Sequence, residues 1–60
     1  MKVRVMMDGG GNGDREYEAH EAHGIIDTPE EYMILLKEPK NGKVIEQVRK
    51  DVFYLMIEGD

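Results

Sequence analysis

Two histidines, His20 and His23, stand among Glu16, Glu18 and Glu21, a donor set suited to a divalent metal ion. On a helix, residues three apart share a face and both imidazoles reach one ion. On a strand they face opposite sides and cannot. The order His20-Glu21-Ala22-His23 also lacks the spacing of the helical zincin motif. Read as a strand, the stretch simply displays two exposed histidines. The segment Asp8–Asp14, DGGGNGD, has the composition of a cation or phosphate loop. An EF-hand frame started at Asp8 puts Gly10 and Ala19 where ligands are required, and no helix follows the glycines to make a dinucleotide loop. A turn or flexible, mobile loop is the expectation. The chain has no serine and no cysteine, hence no nucleophile of the usual kinds. Its carboxylates are plentiful, but their spacing points to no pocket. No catalysis, metal ion or cofactor is expected.

Length and charge narrow the field further. Sixty residues make one domain, and a chain this short buries only about 60% of its unfolded surface. Small folds usually add disulfides, a metal or self-association. Without cysteine, self-association is the leading source of extra stability. The formal net charge of −5, from 13 acidic and 8 basic side chains, argues against a face that grips nucleic acid throughout. It leaves room for a small basic patch. No apolar run approaches the roughly 20 residues of a membrane-spanning helix, and the apolar stretch in MKVRVMMDGG is too short for a secretion signal. The expectation is a soluble cytoplasmic domain, cellular or viral, with no membrane contact.

The elements that must position any site follow from periodicity. Met1–Met7 alternates, with Val3, Val5 and Met7 on one face and Lys2, Arg4 and Met6 on the other, which predicts a half-buried strand and no leading helix. Arg15–His23 predicts a second strand running into Gly24–Ile26, with Tyr17 and Ala19 on one side and Glu16, Glu18 and His20 on the other. Gly24 there suggests a bend or a close backbone approach. Thr28-Pro29-Glu30-Glu31 spells a helix-starting capping box, yet it also serves as a tight turn with proline at its second position. The apolar run Tyr32–Leu36 is short and apolar all round, which suits a buried strand. Asn41-Gly42 is the strongest short hairpin signal and favours strands on both sides. Ile45, Val48, Val52 and Leu55 have helical spacing, whereas Val44–Arg49 alternates weakly and Val52–Ile57 is rich in β-formers. With the hairpin upstream, two strands joined at Arg49-Lys50-Asp51 are favoured. Five short strands in this length predict a small barrel of the SH3-like class. A helix from Lys43 is the alternative.

Taken together, Gly24, Ile25-Ile26, Asp27, Glu30, Tyr32, Met33–Leu36 and Lys37 resemble the first motif of the Sm-like proteins (the LSm and Hfq-like barrels). Val48-Arg49-Lys50-Asp51-Val52 followed by Phe53–Ile57 resembles the second. The resemblance implies an all-β fold, a five-stranded, strongly bent open barrel, here without the usual N-terminal helix. It also implies a homo-oligomeric ring in which the fourth strand of one subunit pairs with the fifth of the next. A ring fits the physics independently, since it satisfies open sheet edges by one repeated heterologous contact.

Single-stranded RNA at the pore face is the partner that the resemblance implies, with Tyr32, Arg49 and Lys50 as its contacts. Tyr32 would stack a base, and Arg49 and Lys50 would hold phosphate. The uridine-reading asparagine of the family is replaced by Ile34, and Arg49-Lys50 stands where Hfq carries a lysine–histidine pair. The competing reading makes Tyr32 half-buried core and Arg49-Lys50 an exposed turn, leaving an interaction or assembly module without RNA.

Overall fold

The computed structural model describes residues 1–59. Five strands, β1 (Lys2–Met7), β2 (Arg15–Asp27), β3 (Glu31–Lys40), β4 (Lys43–Arg49) and β5 (Phe53–Glu58), form one antiparallel sheet in the order β4-β3-β2-β1-β5. The helical reading of the tail gives way to two strands, as the upstream hairpin favoured. Asn41 (φ 52°) and Gly42 (φ 77°) both adopt the left-handed conformation that a two-residue hairpin of matching twist requires. Thr28–Glu30 forms the β2–β3 turn rather than a helix start. Glu31 N–H donates to Thr28 Oγ1 at 3.1 Å, and the Thr28 hydroxyl donates to Glu31 O at 2.7 Å. The threonine oxygen thus satisfies the turn in place of a helix N-terminus.

β2 is the strand that bends the sheet. Its first half pairs with β1 (Val3 opposite His20, Val5 opposite Glu18) and its second half with β3 (Ile25 opposite Ile34). The register slips between Ala22 and Gly24, leaving His23 as the extra residue of a bulge, which is what turns one half of a strand against the other. A Cβ on Gly24 would meet Leu35 Cδ1 only at 3.9 Å, so the glycine marks the bend and not a close approach. A second slip, between Val5 and Met6, leaves Tyr17 unpaired.

That second bulge corrects the predicted facing of β2. Glu16 lies opposite Met6 and bonds Arg4 on the outer face, while Glu18 and His20 lie beside Val5 and Val3 on the inner one. Ala19 is exposed. The polar side of this half-strand is therefore the side turned toward the core. The core itself is small: Val3, Val5, Ala22, Ile34, Leu36 and Val48 are buried, with Met1, Ile25, Tyr32, Phe53 and Leu55 packed against them. β4 and β5 are the outer strands of the sheet and are not ladder partners of each other, so the barrel is open along both.

Candidate functional site

Tyr32, near the start of β3, and Arg49, the last residue of β4, are held by the β3–β4 register, in which Glu31 faces Arg49 and Tyr32 faces Val48. Lys50 opens the turn into β5, and its N–H donates to Glu30 O at 3.0 Å. This bond ties the β4–β5 turn to the β2–β3 turn. The structure therefore brings two of the three expected contacts together. The Lys50 ammonium sits 4.7 Å from the Tyr32 ring centre, within the range of a cation–π contact. Arg49 points away into solvent, its side chain 72% exposed and paired with Asp51.

The electrostatics of the site are acidic. Lys50 is bonded to Asp27 and Arg49 to Asp51. Arg49, Lys50 and Asp51 line one shallow surface groove with Pro29, Glu30 and Glu31. Carboxylates outnumber cations there, and both cations already have carboxylate partners. Tyr32 is partly buried and packs on the core. Ile34, where the resemblance would put a base-reading asparagine, is wholly buried.

A second cluster lies at the other end of the barrel. Lys40, at the end of β3, places its ammonium 2.6 Å from Glu18 Oε2 and 3.5 Å from Glu46 Oε2. His20 Nε2 lies 3.3 Å from Glu18 Oε1 but is not aligned as a hydrogen bond, and this buried atom has no hydrogen-bond partner. Burial pushes the Glu18 carboxyl up, but the Lys40 hydrogen bond and the neighbouring imidazole outweigh it and hold it below the usual glutamate value. The same bond to Glu18 raises Lys40. His23, the sequence partner considered for His20, is exposed on the bulge. Glu46 was not legible as a partner, because only the bend of β2 and the β3–β4 hairpin bring it to Glu18. The period-two pair Glu18–His20 was the available signal.

The glycine segment, expected as a turn or flexible loop, adopts a short 3-10 turn at Gly10–Asn12. Asp8 Oδ1 accepts from Gly10 N–H at 2.8 Å, Asp14 Oδ1 accepts from Gly9 N–H at 3.3 Å, and the Tyr54 hydroxyl donates to Asp14. Its carboxylates are thus used by the loop's own backbone and by β5. Among the described residues no helix is long and apolar enough to cross a membrane. Comparison with family models, with curated proteins and with solved structures finds no match for this chain.

Proposed function

We propose that this chain is a non-catalytic assembly module whose copies join β4 of one subunit to β5 of the next, closing into a homo-oligomeric ring of the Sm-like kind. The observation that carries the reading is the apolar character of the two unpaired edges. Val44 and Ile45 on β4 and Met56 and Ile57 on β5 are all exposed, and folded proteins normally blunt such edges. Antiparallel addition with Lys43 opposite Glu58 sets Val44 against Ile57 and Val48 against Phe53. Val44 shares the inner face with buried Val48, and Ile57 shares it with Val3, its ladder partner. The register therefore continues the core across the contact and puts opposite charges at its end. It also answers the deficit of a core of so few buried residues. The lack of cysteine fits a cytoplasmic location for such a module. Light scattering on the eluting protein at micromolar concentration tests the reading. A multiple of 6.9 kDa is expected, and a monomer overturns it.

Single-stranded RNA at Tyr32, Arg49 and Lys50 is the second reading, favoured by the adjacency of Tyr32 and Lys50. A ring would repeat that pair around a pore, so that weak contacts add. Fluorescence titration with oligo-U and oligo-A at low salt separates the two readings: binding supports the second, and its absence leaves assembly alone.

A further inference from the structure

We propose that Glu18, His20 and Glu46 form a binding site for a divalent transition-metal ion of the zinc class. The inference is independent of the assembly reading. The His20 side chain is only 9% exposed, and its Nε2 is buried without a hydrogen-bond partner. Buried polar atoms are nearly always partnered, so an orphan asks for an explanation. This one lies 3.3 Å from Glu18 Oε1, and one ligand atom from each of Glu18, His20 and Glu46 falls within 4.8 Å of the others. Between those carboxylates the chain has already placed a cation, the ammonium of Lys40.

The donor set selects the ion. Imidazole nitrogen and carboxylate oxygen are both zinc ligands, and three such groups leave the fourth tetrahedral position to water. Calcium needs six to eight oxygens, and magnesium keeps an octahedral shell of water. Ligand atoms about 2.0–2.2 Å from a tetrahedral zinc lie roughly 3.4 Å from each other, so modest rotation of the two glutamates closes the site. The Lys40 side chain is 42% exposed, and its ammonium moves into solvent as the ion enters. Two carboxylates and a neutral imidazole then balance the divalent charge. His20 and Lys40 line an open groove with Ala19, Leu36 and Pro39. The metal would fasten β2 to β4 across the bend, supplying the staple that a cysteine-free fold of this size lacks. The sequence expectation of no metal rested on pairing His20 with His23; Glu46 takes that place.

Titration with cobalt chloride, followed by zinc chloride in competition, tests the site. The expected result is the visible absorption of tetrahedral cobalt, lost on adding zinc. His20→Gln should weaken binding by about tenfold or more, the least that losing even an outer partner of a metal ligand costs. Lys40→Met removes the competing cation and should tighten binding, whereas His23→Gln should leave it unchanged. Absence of a cobalt spectrum at millimolar metal overturns the proposal, as does equal affinity in the wild type and His20→Gln. Should His20→Gln fail to fold, Lys40→Met and Glu46→Gln decide: unchanged affinity in both overturns the site.

Discussion

The Lys50 ammonium lies 4.7 Å from the centre of the Tyr32 ring, so a base approaching Tyr32 meets an intramolecular cation first. An exposed cation–π contact is worth about 0.5–1 kcal/mol, and a stacked base about 1–3 kcal/mol. Stacking therefore has enough energy to displace Lys50. The obstacle is charge, because Asp27 and Asp51 hold Lys50 and Arg49 and repel phosphate. Asp27→Asn combined with Asp51→Asn frees both cations. Relieving about 1 kcal/mol of repulsion per carboxylate, less after screening, should raise oligo-U affinity roughly tenfold at low salt. Fluorescence anisotropy measures it. If neither the wild type nor the variant binds, the RNA reading of this site is dropped.

The proposed edge contact predicts a charge-swap result. Val44→Lys or Ile57→Lys places an ammonium opposite an apolar edge residue of the next subunit, and either should reduce the particle to its 6.9 kDa subunit. Because the register sets residue 44 against residue 57, Val44→Lys combined with Ile57→Glu should restore the oligomer. Both positions are more than half exposed in the subunit, so the fold itself should survive, and circular dichroism checks that. An unchanged mass in both single variants would sink the β4–β5 contact. Loss without rescue by the swap would leave the contact standing and reject this register.

Much of the fold was legible because the local signals agreed with one another. The alternation of Val3 and Val5 sets β1, Asn41-Gly42 sets the β3–β4 hairpin, and Thr28–Glu31 reads as a turn once strands flank it. What was not legible depended on bulges, which have no period. The unpaired Tyr17 reverses the facing of Glu16 relative to Glu18, and simple alternation assigns both to one side. The Glu18–His20–Glu46 cluster was hidden for the same reason, since its third member comes from another strand through a bend in β2. The expected RNA contacts were the reverse case. Tyr32, Arg49 and Lys50 were named by resemblance alone, and their neighbours Asp27 and Asp51 were not foreseen, because which carboxylate meets which cation is decided by turn geometry.

The turn at Asp8–Asp14 distinguishes two neighbouring glycines. A Cβ at Gly9 would fall 1.6 Å from the Gly13 carbonyl oxygen, whereas one at Gly11 meets nothing within 4 Å. Gly9→Ala therefore forces backbone apart and should cost about 1–3 kcal/mol, the range of an overpacked site. Gly11→Ala has a negative φ and should be neutral or stabilise by up to about 1 kcal/mol through the unfolded chain. Urea denaturation of the two variants at one fixed protein concentration checks this. Equal midpoints would mean that the turn does not close in solution.

Titration of the outer face should show a loss of stability on both sides of neutrality. The hydrogen bond from Arg4, and then its charge, hold Glu58 below the usual glutamate value of 4.5. The Tyr54 hydroxyl, and then Gly9 N–H, hold Asp14 below 3.8. A carboxylate whose folded pKa is depressed contributes stability above its unfolded value and loses it as pH falls through the folded one. Tyr54 runs the other way. Donating to Asp14 raises it above 10.0, so its contribution is present below that value and disappears as pH rises through the folded one. Asp14 and Glu58 are exposed and Tyr54 is only half-buried, so the changes in Tm should be gradual rather than a cooperative acid transition. Tyr54→Phe separates this pair from the other carboxylates. It removes the alkaline limb due to this phenol and returns Asp14 upward toward its ordinary value, while Glu58, held by Arg4, stays depressed. NMR titration of the side-chain carboxyls reads both groups in one experiment. An Asp14 that titrates identically with and without the Tyr54 hydroxyl would show that the bond between β5 and the glycine turn does not form in solution.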